Sequence, residues 1–392
     1  MTPAARLQAA IELLDGVIAA SRESGPPADR LIADYLRQRR YAGAKDRRAV
    51  RELAYSAMRA CGPVPASGRA AVLRLAELEP DLATLFDGST HGPEPIRRDE
   101  QAALGGIAPP WLEERLTTSG IASDEAAALL SRAPLDLRVN TLRADRKTLD
   151  VPIIAEPLAA AHALRVEAGT PVEGWDIHKN GLVEVQDHGS QWACAAVAAR
   201  PGETVIDLCA GAGGKTLALA AMMENAGTLI ASDTDRRRLG QLPVRAERAG
   251  VTNMRPVLLN PGRELEALAE WQGRADAVLV DAPCSGTGTW RRSPELRWRL
   301  TPEGLDRLVA VQARLIRIAA QLVRPGGRVV YVTCSLLDEE GAAHVATACA
   351  DGLVLNPNPV PLPIGRPRGG GTRLTPAHDG TDGFFIAQLC KP

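Results

Sequence analysis

The chain has 392 residues, enough for two or three domains that each bury a core. Its 46 basic and 47 acidic residues nearly cancel, so any surface for a polyanionic partner would have to be local. Its seven cysteines lie singly, without the pairs of a zinc site or the density of a disulfide scaffold. No run approaches the ~18 apolar residues of a membrane span. We therefore expect a cytoplasmic protein without a metal, an export signal or a membrane anchor.

Residues 1–130 are predicted to be mostly helical. Apolar residues such as Leu7 and Ile11 repeat at helical spacing through the first 60 residues, and Pro- and Gly-bearing stretches at 62–68 and 87–95 are interpreted as loops. Residues 37–51 carry seven basic side chains against one acid. This stretch is either an RNA-facing patch or a solvated helix face, and the sequence favours neither.

Residues 131–187 are predicted to form a small α/β segment with short β-like runs. From residue 188 to residue 392, strand-like and helix-like segments alternate, which predicts a doubly wound parallel sheet with helices on both faces. Ligands bind at the carboxyl ends of the strands in such α/β folds. The predicted strands of this catalytic domain are 204–208, 228–232, 254–259, 277–280 and 329–333.

The first of these strands leads into a glycine-rich turn and then a helix. Such a turn brings backbone close to a ligand and suits a nucleotide-like molecule. Its Gly-Lys-Thr ending also fits a P-loop, but a P-loop requires glycine where this chain has Cys209, which argues against an NTPase. The residues of the turn are Cys209, Ala210, Gly211, Ala212, Gly213, Gly214 and Lys215.

Polar residues also follow the second and third predicted strands. Asp233 lies 26 residues after Asp207, close to the spacing at which an acid binds the ribose hydroxyls of an adenosine. Asn260, at the end of the third strand, has a side chain that could bind the adenine edge or only shape the turn. The end of the second strand therefore favours a bound nucleoside, and the end of the third leaves both interpretations of Asn260 open.

Two cysteines lie at the ends of the fourth and fifth predicted strands. Cys284 lies within the motif 281–288, which begins with Asp281, and Cys334 lies within the motif 332–335. A cytosine cannot accept a methyl group at carbon 5 from a sulfonium until a thiolate adds at carbon 6, and the adduct must later lose the carbon 5 proton. Two cysteines beside a nucleoside pocket indicate this chemistry, but their spacing does not decide which one adds.

These motifs resemble the RsmB/Nop/Sun class of RNA 5-methylcytosine methyltransferases. The resemblance covers essentially the whole chain. It implies a class I methyltransferase, Rossmann-like α/β fold, a preceding NusB-like helical RNA-binding domain, and S-adenosyl-L-methionine as the cofactor. The carrying motifs are 209–216, 281–288, 332–335 and 379–385, with 138–142 and 186–187 in the preceding segment.

The resemblance also implies roles for individual residues. Cys334 would be the nucleophile and Cys284 would assist product release, whereas in DNA cytosine methylases the Pro-Cys residue attacks. The cofactor site would comprise the turn from Cys209 to Lys215, Asp233 for the ribose, Asn260 for adenine and Asp281 near the methyl group, with Lys215 close to the reaction centre. Two residues depart from the family pattern: Ala212 replaces a common proline, and Asn260 replaces a common aspartate.

Arginines and tryptophans alternate directly after the Pro-Cys motif, between Trp290 and Arg299. We expect this segment to contact RNA and stack on an extruded base, and the alternative is a helix start with packed tryptophans. The predicted substrate is 16S ribosomal RNA, bound by a monomer. The alternatives are transfer RNA, or no catalysis at all in an RNA-binding ribosome assembly factor.

Overall fold

The computed structural model describes residues 1–23 and 25–392, which divide into two compact units. The helical unit comprises Met1–Ser131 and Thr289–Thr301, and the catalytic unit comprises Arg132–Gly288 and Pro302–Pro392. Within the described residues, no helix combines the length and the apolar character needed to cross a bilayer.

The helical unit packs around its first helix, whose Leu7, Leu14 and Val17 are fully buried. Two helices of this unit begin at hydroxyl caps, because the Thr2 side chain accepts from the amide of residue 5 and the Ser67 side chain accepts from that of residue 70. The helices are α1 (Pro3–Arg22), α2 (Ala28–Gln38), α3 (Ala44–Ala60), α4 (Gly68–Leu78), α5 (Pro110–Thr118) and α6 (Ser123–Ala128).

The first part of the catalytic unit is a small antiparallel sheet with strand order β2-β3-β1-β4. Its core includes Leu137, Val139 and Val183, which are fully buried. The elements are β1 (Leu135–Val139), β2 (Glu156–Pro157), β3 (Ala163–Val166), α7 (Asp176–Lys179) and β4 (Val183–Val185).

The rest of the chain alternates strands and helices and ends in antiparallel strands. Its elements are α8 (His188–Ala195), β5 (Thr204–Asp207), α9 (Gly214–Met222), β6 (Thr228–Asp233), α10 (Arg236–Leu239), α11 (Leu242–Ala249), β7 (Met254–Leu258), α12 (Glu264–Ala267), β8 (Ala275–Asp281), α13 (Leu296–Arg299, in the helical unit), α14 (Pro302–Leu322), β9 (Val323–Thr333), α15 (Ala342–Ala350), β10 (Val354–Leu355), β11 (Arg366–Arg368), β12 (Gly371–Leu374), α16 (Pro376–Asp379) and β13 (Phe384–Cys390).

These strands form one sheet in the order β11-β12-β13-β9-β8-β5-β6-β7, with β10 paired to β13. Strands β5 to β9 are parallel, and β13 runs antiparallel to β9. The strand order reverses at β5, since β6 and β7 lie to one side and β8 and β9 to the other. The predicted doubly wound α/β fold after a helical domain is confirmed, and the switch point lies where ligands bind in such sheets.

Helices cover both faces of this sheet, as its near-continuous apolar strands require. On one face Ile206 and Val278 pack with Leu315 of α14, and on the other Val205 and Leu279 pack in a core shared with α8 and α9. Apolar side chains therefore fill both layers, and the polar residues of the motifs are placed at the carboxyl ends of the strands.

Candidate active site

The turn between β5 and α9 requires glycine at two positions. Gly211 and Gly213 have φ values of 56° and 90°, in the left-handed region. A Cβ on Gly213 would lie 2.0 Å from a side-chain carbon of Leu242. Helix α9 begins directly after Gly213, so the amide groups of its first turn face the end of the sheet with no helical partner.

Asp233, at the end of β6, holds this turn in place. Its carboxylate is 8% exposed, and its two oxygens accept from the amides of Gly211 and Asp235, both at 2.7 Å. Each oxygen keeps a further lone pair, which a ribose hydroxyl could use. Asn260 differs, because it is exposed and its side chain has no hydrogen-bond partner within the described residues.

Lys215 and Asp281 form an ion pair between the glycine-rich turn and the end of β8. The Lys215 Nζ lies 2.6 Å from an Asp281 carboxylate oxygen, and both side chains are partly buried. Burial opposes the charge of Lys215, but the Asp281 carboxylate outweighs it and raises the pKa of the ammonium. The pair therefore places a fixed cation at the strand ends.

The two motif cysteines meet at the ends of β8 and β9. These strands are parallel neighbours, with Asp281 opposite Val332, so the loops that follow them leave the sheet side by side. The Cys284 and Cys334 sulfurs lie 3.3 Å apart. The hydrogen bond to Cys334 and burial raise the pKa of the Cys284 thiol well above its usual value, so Cys284 is protonated in the free protein.

A buried acid that the sequence analysis did not identify joins the two cysteine loops. We call these the Pro-Cys loop (282–288) and the Thr-Cys loop (334–340). The Glu340 carboxylate accepts from the Ser285 amide at 2.8 Å, from the Ser285 hydroxyl, and from the Ser335 hydroxyl at 2.6 Å. The side-chain amide of Gln312 in α14 donates to it at 2.8 Å. The only sequence signal was an acidic run after the Thr-Cys motif, which is typical of ordinary loops.

Asp207, at the end of β5, is a second such residue. It is fully buried, and one carboxylate oxygen accepts from the Thr216 hydroxyl at 2.7 Å. The other oxygen has no hydrogen-bond partner among the residues that the structure describes. Burial raises the pKa of Asp207 to about 7, so its carboxyl group exchanges a proton near neutral pH.

The remaining motif residues hold the loops together. Gly288 donates its amide to the Cys334 carbonyl at 2.9 Å and accepts from the Gly383 amide at 2.8 Å. A Cβ on Gly288 would lie 2.1 Å from the Gly383 oxygen, so this crossing requires glycine. Gln186 accepts from the Arg138 guanidinium at 2.7 Å, which links the small sheet to the start of α8.

No group of three or more His, Cys, Asp or Glu side chains in residues 1–23 and 25–392 could hold a metal ion. The reactive groups at the strand ends are thiols, carboxylates and one ammonium group.

Comparison with known proteins identifies the family. The family model for the 16S rRNA methyltransferase RsmB/F matches residues 194–390. The ribosomal RNA small subunit methyltransferase B of Xanthomonas campestris is 32% identical over 313 residues, which cover 76% of this chain and 70% of that protein. This chain belongs to the RsmB/F methyltransferase family. The resemblance drawn from the motifs is confirmed, and so is the prediction of an RNA methyltransferase.

Solved structures similar to this RsmB/F family member match more of the chain than its catalytic unit. The structure of PH0851 matches 98% of this chain and 99% of its own, with a TM-score of 0.74 and 24% identity. A methyltransferase homologue from Pyrococcus horikoshii matches 72% of this chain and 99% of its own, with a TM-score of 0.58 and 26% identity. The match to PH0851 therefore includes the fold of the helical unit as well as that of the catalytic unit.

The arginine and tryptophan segment of this RsmB/F chain is largely structural. Trp290, Arg291, Arg297 and Trp298 are buried, so the expectation that these side chains contact RNA is wrong. The Arg297 guanidinium donates to main-chain oxygens of α3 and of Cys61, and Trp298 packs in the core of the helical unit. Proximity in sequence to the Pro-Cys motif suggested a chemical role, but the segment packs as the alternative interpretation described.

The basic stretch 37–51 divides into two groups. Three of its arginines bind within the helical unit: Arg37 pairs with Asp34, Arg39 pairs with Glu12, and Arg47 donates to a carbonyl. The other four are exposed and have no side-chain partner within the described residues, and they are Arg40, Lys45, Arg48 and Arg51. A cationic surface of four side chains therefore remains on the helical unit.

Proposed function

We propose that this protein transfers a methyl group from S-adenosyl-L-methionine to carbon 5 of a cytosine in 16S ribosomal RNA, with Cys334 as the nucleophile. The observation that carries the proposal is the 3.3 Å approach of the Cys284 and Cys334 sulfurs at the carboxyl ends of β8 and β9. Methylation of an amino group needs no thiol, whereas methylation of carbon 5 needs one to activate the ring. Membership of the RsmB/F family supports the same reaction.

The strand ends fit the cofactor. The backbone of residues 209–215 forms a cradle in which a Cβ on Gly213 would meet Leu242, and the Asp233 carboxylate can accept from ribose hydroxyls. Asn260 is exposed at the end of β7, where it can bind an adenine edge. S-adenosyl-L-methionine supplies an electrophilic methyl group when it is bound. Asp281 would lie between this site and the cysteines.

The two cysteines perform different parts of the reaction. The Cys334 thiol gives its proton to water, and its sulfur forms a bond to carbon 6, which makes carbon 5 nucleophilic. After methylation, carbon 5 gives its proton to water, the electron pair of that C–H bond re-forms the double bond between carbons 5 and 6, and the bond from sulfur to carbon 6 breaks with its electron pair left on sulfur. The protonated Cys284 thiol, at 3.3 Å, can give its proton to the departing Cys334 sulfur. The raised pKa of the Cys284 thiol suits this role.

The Lys215 ammonium offers electrostatic stabilisation. Its ion pair with Asp281 fixes it 5.7 Å from the centre of the Phe384 ring, on the same strand ends as the cysteines. Addition of a thiolate to carbon 6 pushes negative charge onto the pyrimidine, and a fixed cation lowers the energy of that state. Asp281 holds the cation in place and keeps it charged.

The helical unit supports the RNA-binding part of the proposal. We assign residues 1–130 to a NusB-like RNA-binding domain, 131–187 to a small RNA-binding segment and 188–392 to the catalytic domain. The exposed cations at Arg40, Lys45, Arg48 and Arg51 suit contacts with phosphates. The relative from Xanthomonas campestris is named for the small ribosomal subunit, which favours 16S RNA over transfer RNA.

A methyl-transfer assay tests this function. Purified protein is mixed with labelled S-adenosyl-L-methionine and either 16S ribosomal RNA or transfer RNA, and the nucleosides are analysed after digestion. We expect 5-methylcytosine in the 16S RNA alone. Label in transfer RNA would identify transfer RNA as the substrate in place of 16S RNA. Label on another atom of the base would overturn the carbon 5 chemistry. RNA binding without methyl transfer would favour an assembly factor.

A further inference from the structure

Glu340 lies outside the groups that react, yet it binds the residue next to each cysteine. We propose that Glu340 is a positioning residue that sets the separation of the Cys284 and Cys334 sulfurs. The catalytic consequence rests on the proposed function, but the geometric claim does not.

The contacts of Glu340 converge from two loops and a helix. Ser285 directly follows Cys284 and donates both its amide and its hydroxyl to the carboxylate, and Ser335 directly follows Cys334 and donates its hydroxyl at 2.6 Å. Gln312 of α14 donates to the same carboxylate at 2.8 Å and to the Pro283 carbonyl at 2.9 Å. One carboxylate therefore joins the residues after both cysteines to a third, helical element.

Burial makes this arrangement costly to leave. Glu340 is fully buried, and a carboxylate without water must have its oxygens satisfied by donors. Its donors are the neutral amides and hydroxyls of Ser285, Ser335 and Gln312, so its oxygens are satisfied only where the two loops and α14 converge. If Ser285 or Ser335 moved away, the carboxylate would lose two bonds or one bond, and this links the positions of the two residues to each other.

The Glu340 main chain is held separately from its carboxylate. The Tyr331 hydroxyl donates to the Glu340 carbonyl oxygen at 2.7 Å. The Gln312 side chain, which binds the carboxylate, is itself hydrogen-bonded to His344 at 3.0 Å. The chain thus offers a matched control. Tyr331→Phe removes a buried hydrogen bond to Glu340 but leaves every contact of its carboxylate in place.

Glu340→Gln is the test variant, because it conserves volume while an NH2 group, which donates and cannot accept from a serine, replaces one carboxylate oxygen. Ser335→Ala is a second variant, which removes the Ser335 hydroxyl and leaves the Ser285 and Gln312 bonds to the carboxylate in place. It also removes the contacts of that hydroxyl with the Ser285 and Thr287 hydroxyls and with the Leu337 amide. Misplacement of reacting groups by ~1 Å costs about 100-fold in rate. We expect Glu340→Gln to slow reactions that need both sulfurs by about tenfold to 100-fold, and Ser335→Ala to slow them less.

The geometric readout is the rate at which the diazene oxidant diamide closes a disulfide between the two cysteines. Both thiols lose their protons and one electron each, the sulfur–sulfur bond forms, and the nitrogen–nitrogen double bond of diamide is reduced to a hydrazine. Peptide mass spectrometry identifies the Cys284–Cys334 product among the seven cysteines. Slower closure in Glu340→Gln and Ser335→Ala, with Tyr331→Phe at the wild-type rate, supports the proposal.

The catalytic readout separates positioning from general damage. If the RNA is methylated as proposed, Glu340→Gln lowers kcat while the KM for S-adenosyl-L-methionine stays within about twofold, because the cofactor cradle lies on β5 and β6. Wild-type closure rates in both Glu340→Gln and Ser335→Ala would overturn the positioning role even if methylation is observed. Slowed closure without any methylation in the wild type would leave the positioning role standing and reject the proposed function.

Discussion

The two units of this protein use charged side chains in opposite ways. In the catalytic unit, the partly buried Lys215 and Asp281 pair with each other at the ends of the strands, and the fully buried Glu340 binds the residues that follow the two cysteines. In the helical unit, the most buried cation, Arg297, binds carbonyl oxygens of its own core, and the free cations lie on the surface. A buried charged side chain therefore indicates a catalytic role only where it lies at a strand end beside a nucleophile.

The largest effect in the comparison of the two units is expected at the ion pair between Lys215 and Asp281. Asp281→Asn weakens the attraction that fixes and charges Lys215, and Lys215→Met removes the cation. We expect each to lower kcat for methyl transfer by roughly 10²- to 10³-fold, as for the loss of one electrostatic donor in other active sites. Steady-state kinetics measures this loss. Activity within threefold of wild type in Lys215→Met would reject the electrostatic role of the ammonium.

Asp207 gives the catalytic unit a pH-dependent stability. Its pKa is about 7 in the folded protein, above the value of ~3.9 in an unfolded chain, so the folded state binds more protons between those values. Stability from this group falls as pH rises from ~4 to ~7, by up to about 4 kcal/mol. Asp207→Asn cannot titrate and should show a smaller decline than wild type in urea unfolding across this range.

The buried His344 changes stability with pH in the opposite direction to Asp207, so it also contributes to the urea unfolding of both proteins. Burial lowers the pKa of His344 to about 4, so its contribution is lost as pH falls from ~6.5 towards ~4. Both proteins in the comparison contain His344, so the difference between them isolates Asp207. Parallel pH profiles for wild type and Asp207→Asn would contradict the assignment of a raised pKa.

Arg297 tests the helical side of the comparison. The side chain is fully buried and donates to two carbonyl oxygens, so Arg297→Ala leaves a cavity and unpaired acceptors. We expect the free energy of unfolding of the helical unit to fall by about 3 kcal/mol. Arg48→Ala, on the exposed surface, is the control and should change it by less than about 0.5 kcal/mol. Equal effects would mean that Arg297 is not part of this core.

The smallest effects are expected on the exposed cations of residues 37–51. Replacing Arg40 and Arg48 with alanine should weaken RNA binding several-fold and reduce the slope of log affinity against log salt by about one per lost phosphate contact. Filter binding at several salt concentrations measures both. The control is Arg317→Ala, an exposed arginine on α14 of the catalytic unit. An unchanged slope in the double variant would identify this patch as a solvated helix face.

The sequence was informative wherever one local pattern determines one local structure. Four of the five central strands begin and end within two residues of their predicted bounds, because short apolar runs between turn signals are typical of buried parallel strands and too short for helices. Strand β9 begins at Val323 rather than 329, since Gly326 and Gly327 lie inside the strand where the register with β8 shifts. Backbone irregularity of this kind has no pattern in the sequence.

The site was predictable at the strand ends and not between them. The cysteines and the glycine-rich turn stand in fixed order beside strands, so topology alone places them together. Glu340 was not found, because a buried acid satisfied by neutral donors looks like any loop acid in the sequence. The segment from Trp290 to Arg299 was misinterpreted for the converse reason, since its composition suits RNA contact and packing equally well.

The most direct test of the central claim is a covalent trap. Wild type, Cys284→Ala and Cys334→Ala are incubated with 16S ribosomal RNA and S-adenosyl-L-methionine, and adducts that survive denaturant are resolved on a gel. Loss of the Cys284 proton donor should slow breakage of the bond to carbon 6, so we expect Cys284→Ala to accumulate adduct and Cys334→Ala to form none. Adduct that persists in Cys334→Ala and disappears in Cys284→Ala would contradict the account and make Cys284 the nucleophile.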